Sequence, residues 1–312
     1  MSEQVIVIII SGGDIASTNQ AESLLMKCKW TTGPLVEGFR TWNCNSVRLW
    51  WRDGGVLFED NLDIRWENVT TERVSEVIFP SRHVAASGLP CLTIHPIGTP
   101  QYGVNEKPPF GGKSADAPPP SPRMSSWMKE LKNQASNHDL LDEFVVSFET
   151  THHGPWISVP SLFIEIGSTE DKWGHKKAAS ALADVIISGL NLDSNVMVPE
   201  IVPKKVVFCL GGGHYAPQPM RLSDKGVVIG HMLANYALKM EKTEGELTSE
   251  NLPKGPWKQA IMAAYNSTLK ANPNSEVWAY LDRKSFKGWQ RNAIIHFLNL
   301  HNIPYGRTAD FI

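Results

Sequence analysis

From Gln4 to Ile10 every position after the glutamine is apolar and mostly β-branched, and Ser11-Gly12-Gly13-Asp14 closes the run. That pattern predicts a strand buried on both faces. Ile15 to Met26 has helical composition. Short apolar runs predict further strands at Val77–Phe79, Cys91–His95, Phe144–Glu149, Ser161–Ile166, Lys205–Leu210, Gly226–Gly230 and Glu276–Leu281. Between them, helices are expected at Ser125–Asn137, Glu170–Leu190, Gly255–Leu269 and Ser285–Leu300. Arg48–Trp51 and Val56–Phe58 flank Arg52-Asp53-Gly54-Gly55, and because Asp-Gly accepts positive φ this reads as a hairpin. Strands alternating with helices predict an α/β fold, a mixed but largely parallel sheet flanked by helices. Residues 96–122 hold eight prolines among glycines and serines. A stretch of that kind is either a lid over a site or an irregular excursion. No internal repeat is visible.

Composition narrows the class. With 312 residues, 42% hydrophobic and 20% charged, the chain can bury a sizeable core, which excludes global disorder. A net charge of −2 excludes a uniformly basic nucleic-acid coat and leaves room for a local basic face. The segment 252–307 is such a face in sequence: eight lysines and arginines stand against only Glu276 and Asp282. Cys28, Cys44, Cys91 and Cys209 form no CxxC pair, so neither a cysteine zinc knuckle nor a thioredoxin-type pair is supported, and free thiols in a reducing compartment are expected. The run to Ile10 is too short to span a membrane, and Met1-Ser2-Glu3 lacks the basic start of a signal peptide. The expectation is a cytoplasmic protein, with the nucleus also open to it and no membrane contact.

Six of the ten histidines fall at or just beyond a predicted strand's carboxyl end: His83, His95, His152, His153, His214 and His231. Ligands bind at that edge of open parallel sheets, so these side chains could converge. Neutral imidazole is a good zinc ligand, and catalytic zinc sites join three protein ligands to a water. Glu165 interrupts the apolar strand Ser161–Ile166, and a buried carboxylate must be paired, bind a cation or change its protonation. His152, His153, His214 and Glu165 are the candidate metal ligands. His83, His95, His152, His153 and His214 are the candidate catalytic groups, with ligand and base not separable from sequence. Gly211-Gly212-Gly213 after a buried strand could let backbone N–H groups meet an oxyanion, or could simply make a tight turn. Ser11 and Asp14 read equally as site residues or as caps of the following helix.

Several of these segments resemble motifs of one family. They are Ser81-Arg82-His83, Leu92-Thr93-Ile94-His95-Pro96-Ile97-Gly98, Thr151-His152-His153-Gly154-Pro155, Phe163 through Glu170, Gly211 through Pro217 (with His214 and Tyr215), and Lys284 through Trp289. The family is the zinc-dependent D-aminoacyl-tRNA deacylase of the archaeal and plant type, and the resemblance runs from about Val5 to Phe311. It implies hydrolysis of the ester joining a D-amino acid to tRNA, zinc as cofactor, and a phosphorylase/hydrolase-like α/β fold over 1–312 as one domain. Where the family has Asp-Pro-Ala after the first strand, this chain has Asp14-Ile15-Ala16. On that reading Lys284, Lys287 and Arg291 lie on the polar side of a helix whose apolar stripe is Phe286, Trp289, Ala293, Phe297 and Leu300, and they are expected to meet tRNA phosphates. Arg82 and Tyr215 join the candidate site residues, and no protein partner is implied. Two competitors remain: a phosphorylase or nucleoside-processing enzyme of the same fold, and a non-catalytic tRNA-binding module.

Overall fold

The computed structural model describes residues 4–194 and 202–311; Met1-Ser2-Glu3, on which the reading of the amino terminus leaned, lie outside them. β1 (Gln4–Ser11) is the expected buried strand, paired in parallel with β4 (Val47–Arg52) on one side and β5 (Arg73–Arg82) on the other. It belongs to an eight-stranded sheet of order β2-β3-β4-β1-β5-β8-β6-β7, completed by β2 (Thr31–Thr32), β3 (Thr41–Cys44), β6 (Cys91–His95), β7 (Val145–Phe148) and β8 (Ser161–Gly167). Strand direction reverses between β8 and β6, which are antiparallel. A second, all-parallel sheet has the order β10-β9-β11-β12, from β9 (Lys205–Leu210), β10 (Val228–Leu233), β11 (Glu276–Leu281) and β12 (Tyr305–Gly306). The mixed, largely parallel α/β architecture is therefore as expected, divided between two sheets.

The segment after β7 joins them. Glu149 N–H donates to Ile94 O in the large sheet, while Thr150 N–H donates to His214 O and Thr151 N–H to Met232 O beside the small one. One apolar core accordingly draws Ile8, Leu92 and Ile164 together with Val207, Met232 and Tyr280. The helices are α1 (Ile15–Lys27), α2 (Leu62–Thr70), α3 (Met124–Asn137), α4 (Glu170–Trp173), α5 (Lys176–Leu190), α6 (Pro217–Asp224), α7 (Trp257–Ala271) and α8 (Gly288–Leu300). Trp257, Ile261, Phe297 and Leu298 of α7 and α8 bury one face of the small sheet.

Four local expectations are corrected. The hairpin lies one strand earlier, between β3 and β4, because Asn45 takes the left-handed turn position (φ 51°) and Cys44 pairs with Val47. Arg52–Gly55 instead passes the end of β1, where Gly12 N–H donates to Arg52 O, and Val56–Phe58 is a turn. The helix expected over Glu170–Leu190 breaks at Gly174, and His175 caps α5 by accepting from Ala178 N–H. The strand expected at Gly226–Gly230 is displaced to Val228–Leu233, since Gly226 (φ 86°) still closes the turn after α6. α8 begins at Gly288, not Ser285, because Asp282 accepts from Lys284 N–H and the Ser285 hydroxyl and closes a separate 3-10 turn first.

Candidate metal centre

Strand pairing brings together residues far apart in the chain. In the large sheet Ser81 and Thr93 both stand opposite Glu165, and His95 stands opposite Phe163. His83 lies just beyond β5, with its N–H on Ile166 O. β6 runs against β8, so His95 arrives from the opposite direction, and Glu149, His152 and His153 follow from the adjacent β7. His214 comes from the small sheet, after the glycine turn that ends β9. The result is one cluster of five histidines and two glutamates. It sits on the sheet where strand direction reverses, not along a single carboxyl edge.

The donor atoms are tightly grouped. His95, His152 and His153 each offer a ring nitrogen within 4.8 Å of the others, and so do the atoms of His83, Glu149 and His214, and of His95, Glu149 and Glu165. Glu149 Oε2 is 2.8 Å from His214 Nε2, 3.0 Å from His83 Nδ1 and 3.5 Å from His152 Nε2. Glu165 Oε2 is 3.5 Å from His83 Nδ1 and 3.6 Å from His95 Nε2. Glu149 and Glu165 are completely buried, while His152 is 18% and His214 31% exposed and His153 is half-buried, so solvent reaches the cluster on the side of these three.

Three of the imidazoles are oriented by the backbone. Nδ1 of His95 lies 3.1 Å from Pro96 O, Nδ1 of His152 2.7 Å from Thr150 O, and Nδ1 of His153 3.2 Å from Gly154 O. A carbonyl can only accept, so each Nδ1 carries the proton and Nε2 is the nitrogen turned to the cluster. This is the second-sphere arrangement that prepares histidine to bind a metal. Both Glu149 carboxylate oxygens, Glu165 Oε2 and His95 Nε2 are buried without an aligned hydrogen bond. Unsatisfied buried acceptors are costly, and a cation among His95, Glu149 and Glu165, whose donor atoms lie within 4.8 Å of one another, would take up one atom from each. The residues therefore fit a metal ion, and imidazole with carboxylate is a donor set that suits zinc.

The electrostatics separate the rings: burial would lower His95, but Glu165 and Glu149 outweigh it and raise it, so its Nε2 gives up a proton when a cation binds. Burial pushes both glutamates up, yet the facing histidines prevail, holding Glu165 down to about 2 and Glu149 well below the usual carboxylate range. Burial would lower His83, but Glu149 and Glu165 outweigh it and raise His83 to about 10. His152 and His153 are driven down by burial and then by neighbouring imidazoles, His153 to about 4, so both stay neutral.

The remaining candidates divide. Tyr215 reaches the cluster, its hydroxyl 3.3 Å from His83 Nε2. Asp14 is a cap: Oδ1 accepts from Ala16 and Ser17 N–H, and Oδ2 from Arg82 N–H. Ile15, in the family's proline position, is 52% exposed at the first turn of α1 and leaves that cap intact. Ser11 is committed to Ser17 and to Gly54 O, and the Arg82 guanidinium lies 4.6 Å over Trp173. His231 stands outside the cluster, held between Thr151 Oγ1 and Pro118 O. In the glycine turn, Gly211 N–H donates to Leu233 O and Gly212 O accepts from Asn235 N–H, and a Cβ added at Gly212 or Gly213 would meet nothing within 4 Å. Lys284, Lys287 and Arg291 do not share a helix face: Lys284 is in the 3-10 turn, Lys287 caps α8, and only Arg291 is helical. The helix buries Ala293, Ile294, Phe297 and Leu298, while Leu300 is exposed. The 96–122 loop is an ordered cover, with Gly98 N–H on His153 O and Gly154 N–H on Phe110 O.

Two site residues were missed from sequence. Glu149 ended a predicted strand and carried the signal that singled out Glu165, a carboxylate against an apolar run, here directly before Thr150-Thr151-His152-His153. Tyr236 had none. Its hydroxyl lies 3.1 Å from Thr150 Oγ1 and 3.3 Å from His214 Nδ1, a contact that exists only because the small sheet packs there.

A family model described as D-aminoacyl-tRNA deacylase matches residues 70–306. A relative from Arabidopsis thaliana named D-aminoacyl-tRNA deacylase is 41% identical, covering 98% of this chain and 99% of its own. One of the same name from Methanosarcina barkeri is 32% identical over 94% of this chain and 86% of its own. Another, from Pyrococcus furiosus, is 31% identical over 76% and 82%. A crystal structure described as a conserved protein of unknown function superposes with a TM-score of 0.76 at 23% identity, covering 100% of this chain and 98% of that one. At that identity it bears on the fold alone.

Proposed function

Because this chain belongs to the D-aminoacyl-tRNA deacylase family, we propose that it hydrolyses the ester of D-aminoacyl-tRNA, releasing free D-amino acid and tRNA, at the histidine–glutamate cluster with zinc bound there. The observation that carries this reading is the set of three imidazoles whose Nδ1 atoms rest on backbone carbonyls, turning their Nε2 atoms to a space shared with two buried carboxylates. His95, His152 and His153 would hold the metal, and His95 with Glu149 and Glu165, or His83 with Glu149 and His214, offer adjoining donor sets. Zinc supplies Lewis acidity toward the ester carbonyl and a water acidified towards a pKa of ~7.

The protein's own groups do the rest. His214 is 31% exposed, with Nε2 on Glu149 and Nδ1 on the Tyr236 hydroxyl, and it would hand a proton to the departing 3′ oxygen of the tRNA. His83 keeps a proton between the two carboxylates, with Tyr215 fixing the other side of its ring. Gly212 and Gly213 offer N–H groups to the oxyanion. Lys284, Lys287 and Arg291 meet acceptor-stem phosphates, which position the substrate without reading bases. The chain acts as one α/β unit, its central core shared by both sheets, and works in the cytoplasm.

The test is hydrolysis of matched D- and L-aminoacyl-tRNA by the purified protein, with and without a chelator, alongside metal analysis. Selective hydrolysis of the D-ester, lost on chelation and restored by zinc, is expected. Unchanged rates after complete metal removal would overturn the metal mechanism.

A further inference from the structure

The four parallel strands of the small sheet end along one edge. β9 leads into Gly211–Gly213, β10 into Asn235, β11 into Asp282–Ser285 and β12 into Arg307. β9 lies between β10 and β11, so the chain crosses from one side of it to the other, and ligands of parallel sheets bind at the carboxyl edge beside such a crossing. His214 leaves this edge toward the metal cluster. At the far end of the same edge, two strands away and thus roughly 10 Å across at ordinary strand spacing, lies a cleft of about 350 Å³. Leu281, Arg283, Ile295, Tyr305, Arg307 and Asp310 line it.

Its charges are poorly balanced. Among the described residues Arg283 makes no ion pair, and Arg307 has only Asp310, at 4.0 Å with both side chains exposed. The Asp310 carboxylate already accepts from the Arg307 backbone N–H at 2.6 Å. Lys284 and Lys287 continue the cationic row back toward the cluster. Ser285 and Phe286 between them pack against Gly211, where an added Cβ would lie 2.8 to 3.0 Å from their side chains. Asn235 Nδ2 donates to Ser285 O at 2.6 Å and ties the row to the end of β10.

We infer that the cleft between Arg283 and Arg307 is a phosphate subsite, holding one backbone phosphate of the tRNA acceptor end inward of the terminal, ester-bearing nucleotide. Guanidinium forks match two phosphate oxygens at once, as an ammonium does not. The inference rests on the aminoacyl-tRNA reading and adds to it where the polynucleotide is gripped. The lysines nearer the cluster then act as point charges that steer.

The experiment uses the full chain and measures uncharged-tRNA binding first, since binding is read whether or not the ester is cleaved. In the R283Q/R307Q double variant, tRNA Kd should rise roughly 10- to 100-fold, the range for losing charge-assisted hydrogen bonds. The slope of log Kd against log salt should fall by roughly 0.7 to 0.9, the value for one phosphate. R283K/R307K should recover the slope and only part of the affinity. With a D-aminoacyl ester of adenosine, which carries no phosphate, the gap between wild type and double variant should close. An unchanged Kd and slope overturns the inference even if the wild type deacylates, and so does an equal loss on the adenosine ester. Inorganic phosphate is the control for a free anion. If it binds the wild type and not the variant while tRNA Kd is equal in both, the cleft serves free phosphate and the inference fails. Loss of tRNA binding in the variant of a protein that deacylates nothing would uphold the subsite and sink the hydrolytic reading instead.

Discussion

Glu149 is the most informative residue to change, because it touches three histidines and is completely buried. Glu149→Gln keeps its shape and removes its charge. In the metal-free protein His83 stays protonated up to about 10 against an ordinary 6.5, in spite of burial, because two carboxylates face it. That difference corresponds to ~5 kcal/mol favouring the charged ring. Glu149 is the nearer carboxylate, 3.0 Å against 3.5 Å for Glu165, so at least half of the effect is its own. The variant should therefore be less stable than wild type by ~2–3 kcal/mol at pH 6 in the presence of chelator. The sign follows from both partners. His83 is raised, so its contribution is full below 6.5 and fades as pH climbs through about 10. Glu149 is depressed, so its contribution is full above its ordinary 4.5 and fades in acid. The gap should be widest between pH 4.5 and 6.5 and close on the alkaline side. Urea denaturation of both proteins in chelator across pH 4 to 10 measures it, and titrations that do not involve Glu149, such as that of His231, which burial lowers to about 4, cancel in the difference. With zinc restored, the same variant should lose ~10–100-fold in metal affinity. A gap that stays constant with pH, or widens towards pH 10, would refute the ion-pair account of this cluster.

Three further outcomes are expected. Neutralising Lys284, Lys287 and Arg291 together should weaken binding of every tRNA alike and flatten the salt slope by up to ~3, read by titration at several salt concentrations; an unchanged slope would move the footprint elsewhere. Gly212→Ala meets no atom within 4 Å but is held at φ 92°, so it should cost ~1 kcal/mol in stability and a larger share of kcat/KM if backbone and ligand meet there, whereas Gly211→Ala should act chiefly on Tm because it strikes Phe286. Asp14→Ala removes the acceptor of the Ala16, Ser17 and Arg82 N–H groups and should lower stability by ~2 kcal/mol, with kcat of the folded enzyme unchanged; a kcat loss at full occupancy of the fold would return Asp14 to the site.

The amino-acid sequence by itself determined what is local and periodic. The buried run at Gln4–Ile10, the short apolar runs of β6, β8, β9 and β11, and the helix at Ser125–Asn137 read correctly because side-chain period and β-branching act within a few residues. It also marked Glu165 and the strand-end histidines as chemically out of place. It misplaced the hairpin and the start of α8 because Asn45 and Asp282 end their elements through local turn geometry that competes with equally good signals nearby. Only the tertiary structure decided which outliers meet. His83 and Glu165 are 82 positions apart and become neighbours because β5 pairs with β8 in one register. His95 joins them because β6 runs against β8, and His214 because the small sheet is stitched to the segment after β7. His231, marked by the same strand-end signal, was carried instead to Thr151 and Pro118. Strand order, direction and register depend on burial summed over the whole chain, so no short window of residues contains them.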